Sequence, residues 1–378
     1  MPGNATLAPG PVSVPLTLDV DTVKCNLSFE VSRVFVVAVY CSVFSLGLPA
    51  NCLTAWLTLL QALQGNVLAV YLFCLALCEL LYASTLPLWV IYVQNQHRWT
   101  LGPGACKVTG YIFFCNLYVS ILFLCCVSCD RFVAVVYALE SRGRRRQRTA
   151  VLVCVSVFLL VGLVHYPVFQ MDVKDTCFET APPNGQIARY YYLRFAVGFA
   201  LPLSIIAFTN HRIFRSVRRS EGLSAAQKAG VKRTAIAVVA IFLVCFAPYH
   251  LVLLAKAAAF SYYGGDAGPL CAFETRLCTV SVMFLCLSTV NSVADPIIYV
   301  LATGHSRQEV SRIHREWKER YSHTDATELV RSKGSGEAQS PTSLTDSCVF
   351  PQPVQPPGPR PGAWASLCAP ERLGEESC

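Results

Sequence analysis

Seven long runs almost free of charge, at residues 34–60, 66–93, 108–129, 149–171, 190–210, 234–255 and 277–303, dominate what this chain can fold into. Each is long enough to cross a ~30 Å hydrocarbon layer as a helix, which takes about 20 residues. Lipid offers no partners to sheet edges or bare backbone groups, so helices are the expected element. None of the runs resembles the shorter core of a secretory signal, and the first is expected to double as a signal anchor. Charged side chains make up 14% of the chain and apolar ones 54%, where a soluble domain holds roughly a quarter charged. The expected fold class is therefore an all-α membrane protein, a seven-transmembrane helix bundle. Pro87, Pro167, Pro202, Pro248 and Pro296 lie inside the runs and predict kinks, with neighbouring helices satisfying the freed carbonyls.

Basic residues set the expected orientation. Arg142, Arg144, Arg145, Arg146 and Arg148 follow the third run, and Arg212, Arg215, Arg218, Arg219, Lys228, Lys232 and Arg233 follow the fifth, so these loops are assigned to the cytoplasm. An odd number of crossings then leaves residues 1–33 outside, where the glycosylation acceptors Asn4 and Asn26 both fall. The bundle is expected over 34–303, an amphipathic juxtamembrane helix over 304–321 and a disordered cytoplasmic tail over 322–378. In the tail, Ser340, Thr342 and Ser343 are candidate phosphorylation sites, although such a composition is also common in inert tails. The net charge of +8 is read chiefly as attraction to anionic lipid, and nucleic acid is not an expected partner.

Of the 19 cysteines most lie inside the runs, where a thiol acts as a small apolar side chain. Cys25, Cys106, Cys177 and Cys271 fall on the outer side, and four cysteines allow three connectivities. The favoured set is Cys106 with Cys177, tying a long outer loop to the third helix, and Cys25 with Cys271, pinning the N-terminus to the seventh.

Glu79 and Asp295 are the acids inside the second and seventh runs, near Asn51 and Asn291. Carboxylates are costly in hydrocarbon, so both are expected to face the bundle interior, where they would share a proton, hold a sodium ion or simply order a polar network. Arg194 is the charged residue between Tyr190 and Asn210, about two turns outward of Pro202. A buried guanidinium needs a partner: a fatty-acid carboxylate or lysolipid phosphate on one reading, Glu179 on the other. Tyr111, Phe114, Tyr118, Phe246 and Tyr249 are candidates for an aromatic wall around an acyl chain, with His250 facing the same cavity. His97, His165 and His250 are the histidines expected outside or in that cavity, and each is a candidate acid sensor or a structural residue.

Four short motifs stand in order on their runs: Trp99-Thr100-Leu101-Gly102 before Cys106, Asp130-Arg131-Phe132, Cys245-Phe246-Ala247-Pro248 and Asp295-Pro296-Ile297-Ile298-Tyr299. Together they resemble rhodopsin-family receptors, and stretches 75–89, 111–146 and 235–254 are similar to the proton-sensing and lysolipid group of that family, over about residues 25–320. The resemblance implies a plasma-membrane receptor, not an enzyme, whose partners are heterotrimeric G proteins, with arrestin engaging the tail. It implies an oxidised free fatty acid or lysolipid as ligand, with protons as a second input. It assigns coupling to Asp130, Arg131, Phe132, Pro296 and Tyr299, with Arg131 meeting the inserted end of the G protein's alpha subunit. At Glu79 and Asp295 it implies a sodium ion as allosteric modulator or a proton-linked switch, though the family more often has Asp in place of Glu79. No other cofactor or metal is expected. Two departures matter: Asn210 stands where the family usually has Tyr, and strong acid sensors carry more outer histidines, so acid sensing is expected to be weak.

Rival classes fare worse. The histidines form no His-x-x-x-His pair and no nucleophile motif accompanies the buried acids, which argues against a membrane enzyme. Paired broken helices or charge rings, the marks of transporters and channels, are not visible. A constitutively active receptor without a ligand, or one that responds mainly to protons, remains the alternative.

Overall fold

The computed structural model describes residues 25, 29–138, 140, 146–170, 176–177 and 183–302. The acceptors Asn4 and Asn26, the juxtamembrane helix at 304–321, the tail, Glu179 and the arginines 142, 144 and 145 lie outside the described residues. Seven helices are long and apolar enough to cross a membrane: α1 Glu30–Leu63, α2 Val67–Gln94, α3 Pro103–Val136, α4 Gln147–Gln170, α5 Gly185–Arg219, α6 Ala225–Tyr262 and α7 Ala267–Leu301. No strand occurs among the described residues.

The helices run past the apolar stretches because their ends are set by caps and not by hydropathy. Asn66 accepts from the amides of Leu68 and Ala69 to start α2, and Asn184 does the same for Gln186 and Ile187 at α5. Ser224 and Gln227 form a reciprocal capping box at α6, and the Asp266 side chain accepts from Gly268 N–H at α7. The sequence reading named Glu79 and Asp295 as the acids of the second and seventh spans; α7 starts at Ala267, so Glu274 is a further acid inside it. Likewise α6 continues to Tyr262 and takes in Lys256.

The prolines deform the helices in distinct ways. Proline lacks an N–H and its ring presses on the carbonyl four residues back. For Pro202 and Pro248 those residues are Gly198 and Val244, and each lies in a π-turn, Ala196–Ala200 and Phe242–Phe246, whose extra residue makes room for the ring. Pro167 falls in a 3-10 turn at Tyr166–Gln170 closing α4. Pro87 sits inside an unbroken α2, and Pro296 follows a turn at Thr289 and Val290 that interrupts α7.

Between lipid tails and leucines there is no hydrophobic driving force, so helix association rests on close packing and on hydrogen bonds. The burial pattern fits that logic. Leu46, Trp56, Leu152, Leu159 and Leu163 are exposed, while Asn51, Glu79, Asn116, Ser120, Asn291, Ser292 and Asp295 are buried. The most apolar window of α3 is 67% buried against 22% for α4, which makes α3 the central rod and α4 peripheral. Gly47 lets α1 approach α7 closely, since a Cβ there would stand 3.6 Å from Ser292. One turn on, Asn51 Nδ2 donates to the Ser292 carbonyl at 2.7 Å and fastens that seam. At one end of the bundle, Cys106 is bonded to Cys177 and Cys25 to Cys271, with Cα separations of 5.7 and 5.3 Å.

Candidate functional site

At the end of α3 away from the disulfides, Arg131 Nη2 donates to Asp130 Oδ2 at 2.7 Å and Nε to the same oxygen at 3.3 Å. The Asp130 side chain is buried and that of Arg131 is about a quarter exposed, so the guanidinium is held at the mouth of the bundle. Asn210 Nδ2 donates to the Ile206 carbonyl and to Ser128 Oγ, and so stays on the α3–α5 seam. Tyr299 is buried and its hydroxyl accepts from Gln61 Nε2 at 3.1 Å. The Phe132 ring turns toward Phe208 of α5, 6.1 Å between centroids.

Midway along the bundle, α2, α3 and α7 converge on Glu79. Oε1 accepts from Ser120 Oγ at 2.6 Å and Asn291 Nδ2 at 2.8 Å, and Oε2 accepts from Ser292 Oγ. Asp295 lies beside it in the same buried layer, next to Asn291 and Glu79, and among the described residues neither of its carboxylate oxygens accepts a hydrogen bond of good geometry. Of the two asparagines expected here, Asn291 reaches the acids. Asn51 is a correction: its amide holds the carbonyls of Gly47 and Ser292 instead. Glu79 thus takes three hydrogen bonds from side chains, while Asp295 keeps acceptor capacity. No cluster of three or more His, Cys, Asp or Glu fit for a metal occurs among the described residues.

Toward the disulfide end, α3, α4 and α5 enclose a cavity of about 350 Å³ lined by Phe114, Val164, His165, Tyr190, Tyr191 and Arg194, among others. Arg194 is buried. Its Cζ lies 4.8, 5.0 and 5.3 Å from the ring centroids of Phe114, Tyr118 and Tyr190, a three-sided cation–π box. Nε donates to Tyr118 Oη at 2.7 Å, and Nη2 is buried with no hydrogen-bond partner among the described residues. The Tyr118 hydroxyl is 3.3 Å from His250 Nε2, and His250 Nδ1 is 2.8 Å from the Phe246 carbonyl. A carbonyl only accepts, so in the neutral ring Nδ1 carries the hydrogen and Nε2 accepts from Tyr118. The bonds therefore run in one direction, Arg194 to Tyr118 to His250, from the cavity into α6 beside Pro248.

Not every residue expected at the aromatic wall is there. Tyr111 donates to the Gly162 carbonyl at 3.1 Å and lines a separate apolar groove with Leu77, Leu81 and Phe158. Its position on α3 turns it toward α4, away from Arg194. Phe246 is fully buried against Phe242, a layer below the cavity. Tyr249 packs edge-on to His250, and it too supports the wall from behind. His97 is buried in the turn just past the end of α2, against Phe29 and Tyr92, with φ +58°. It does not line the cavity. His165 lines the cavity, as the sequence suggested. One feature escaped the sequence reading: Lys256 of α6 donates to Glu274 of α7 at 2.6 Å in a nearly buried ion pair. Their signal was present: Lys256 and Glu274 each sit a few residues beyond an apolar run, within reach of one more helical turn.

Comparison with known proteins agrees with this architecture. Residues 50–299 match the family described as 7 transmembrane receptor (rhodopsin family). The whole chain is 68% identical to the human protein named probable G-protein coupled receptor 132, covering 97% of it. It is 65% identical to the mouse protein of that name, covering 98% of it. Human G-protein coupled receptor 68 is 31% identical over 305 residues, which span 79% of this chain and 81% of that protein.

Proposed function

The chain belongs to the rhodopsin family of seven-transmembrane receptors, multi-pass plasma-membrane proteins that act on G proteins, and on that premise we propose that its signal is an acidic lipid held by Arg194. The observation that carries this reading is Nη2 of Arg194, buried at the cavity wall without a partner among the described residues. A buried cation without an anion is costly, and a carboxylate or phosphate would complete it with charge-assisted hydrogen bonds. The Phe114, Tyr190 and Tyr191 side of the cavity suits an acyl chain. An oxidised free fatty acid or a lysolipid has both parts. Protons are a weaker, second input in this reading.

In the same proposal the disulfide end faces outward and the Arg131 mouth faces the cytosol, in keeping with the basic residues after α3 and α5. The G protein would take Arg131 from Asp130, with arrestin meeting the tail. Ligand anion on Arg194 draws the guanidinium away from Tyr118, which loosens the Tyr118–His250 bond and so biases α6, a two-state element in contact with both ends. Asp295 is the group that would hold a sodium ion or a proton, with Asn291 beside it. Either would compensate its buried charge and favour one helix arrangement over another.

Arg194→Gln tests the anchor by G-protein dissociation at matched surface expression. Removing one side of a buried charge contact costs roughly 2–5 kcal/mol, so potency of an acidic lipid should fall at least about 30-fold, and the methyl ester of that lipid should be weak on the unaltered receptor. Undiminished potency on Arg194→Gln would remove the proposal.

A further inference from the structure

Taking the Arg131 mouth as cytosolic, the orientation proposed above, we infer that the inner ends of α3 and α5 bind an inner-leaflet lipid whose head group carries several phosphates, a polyphosphoinositide. A cleft of about 480 Å³ lies there, lined by Val136 of α3 and by Arg212, Arg215, Ser216, Arg219 and Ser220 of α5. The three arginines are exposed and make no ion pair or hydrogen bond among the described residues, and no acid is among the described residues of the lining. Like charges three and four residues apart on one helix face repel, a cost that an anion between them removes.

The rest of that helix face points to the source of the anion. Leu201, Ser204 and Phe208 precede Arg212 at the same three- and four-residue spacing, and all three are exposed, Phe208 by 58%. In a bilayer that exposure is to acyl chains. Ile206, Thr209, Asn210, Ile213 and Val217 make up the buried face of α5, where Asn210 bonds Ser128 of α3. One lipid-facing stripe therefore turns from apolar to basic within the single turn between Phe208 and Arg212, as depth changes from hydrocarbon to head group. The arginines are turned from the buried face, which favours a lipid over a protein entering the mouth beside Arg131. Arg212 and Arg219 are seven residues apart, about 10 Å along the axis, with Arg215 between them. A ring bearing phosphates on two sides spans that length, whereas a single phosphate does so only by drawing long side chains together at a cost in rotamer freedom. Guanidinium pairs with phosphate through two parallel bonds, and the Ser216 and Ser220 hydroxyls add neutral donors.

The test is binding of fluorescent dioctanoyl phosphatidylinositol bisphosphate to the full-length receptor in phosphatidylcholine nanodiscs, with dioctanoyl phosphatidylserine and free inositol trisphosphate as competitors. The phosphoinositide should bind at least about 10-fold more tightly than phosphatidylserine at equal added charge, because it alone offers paired phosphate contacts. The free head group should be at least about 10-fold weaker than the lipid, the loss of about two buried methylenes. Arg212→Gln, Arg215→Gln and Arg219→Gln should each weaken the lipid about 5-fold, the scale of one basic residue at an anionic surface. Arg218→Gln removes the same charge about 100° round the helix, outside the cleft, and should change binding less than about 2-fold. Phosphatidylserine equal to the phosphoinositide, or equal losses from Arg215→Gln and Arg218→Gln, would reduce the cleft to general charge attraction and overturn the inference. A free head group as strong as the lipid would make the ligand a soluble inositol phosphate, and a triple arginine variant that keeps the lipid but loses G-protein dissociation would make the cleft a protein contact. Either result overturns it too. Nanodiscs expose both faces, so binding does not depend on the orientation. An epitope after Ser220 that stains on intact cells would refute the orientation, and with it an inner-leaflet ligand, whatever the nanodiscs show. The selectivity of the unaltered receptor needs no variant, so a poorly folding variant does not protect the idea.

Discussion

Adding one methyl group at Gly198 should injure the receptor more than its size suggests. A Cβ at Gly198 would stand 2.5 Å from Cε1 of Tyr118, roughly 1 Å inside ordinary carbon contact. The obstacle is a ring and not a flexible tip. Tyr118 is buried, accepts from Arg194 at 2.7 Å, bonds His250 at 3.3 Å and stacks on His165. Moving it by about 1 Å takes the Arg194 bond beyond hydrogen-bonding range, a loss of about 1.5–3 kcal/mol for a charged donor. Overpacking a filled site costs about 1–3 kcal/mol on its own, and the better helix propensity of alanine offsets about 1 kcal/mol. A net destabilisation of about 1.5–5 kcal/mol follows for Gly198→Ala, which corresponds to a fall in Tm of roughly 3–20 °C for a domain of this size. The measurement is thermal unfolding of purified receptor in nanodiscs, followed by thiol-reactive fluorescence, with Gly162→Ala as the comparison. There the new Cβ would meet the Tyr111 hydroxyl at 2.9 Å, the movable end of a side chain, so the drop should be about a third as large. A Gly198→Ala receptor that unfolds at the parent temperature would refute the argument that Tyr118 is held fast.

Lys256→Met should lower Tm by several degrees because Glu274 is left buried and unpaired, about 3 kcal/mol, whereas the double change with Glu274→Gln should recover most of the loss in the same assay. If the single and double variants melt together, the pair is not coupled. Asp295→Asn should abolish any sodium effect on agonist affinity and alter the pH dependence of G-protein activation, whereas an unchanged pH curve and sodium response would place the switch elsewhere. Asp130→Asn weakens the acceptor that holds Arg131 and should raise agonist-independent G-protein dissociation a few-fold, corresponding to about 1 kcal/mol. Basal signalling equal to the parent's would show that this bond does not hold the resting state.

The bundle itself was legible because lipid imposes a long, charge-free stretch on every crossing, and all seven runs became helices. The buried acids and Arg194 were legible for the same reason, since a charge in hydrocarbon has to be enclosed. Rotational placement was less accessible. Tyr111 and Phe114 are three residues apart on α3, yet one meets α4 and the other meets Arg194. Apolar periodicity is a poor guide in such a helix, because lipid and protein interior are equally apolar. The Lys256–Glu274 pair was missed because hydropathy marks where hydrocarbon ends and caps mark where helices end, and the pair lies between the two limits. His165 was legible as a residue facing outward or into the cavity, either a sensor or a structural ring; its two nitrogens could be told apart only once the Val161 carbonyl was seen beside one of them.

The π-turns of α5 and α6 have an effect reaching past the prolines they accommodate. One surplus residue within a turn shifts the angular setting of all that follows by about 100°. In α6 the surplus lies between Ile241 and Ala247, so Tyr249 and His250 are phased independently of Thr234 and Val238. The half of the rod that reads the cavity can consequently be retuned by substitution, with the opposite half keeping its own bearing toward whatever docks there.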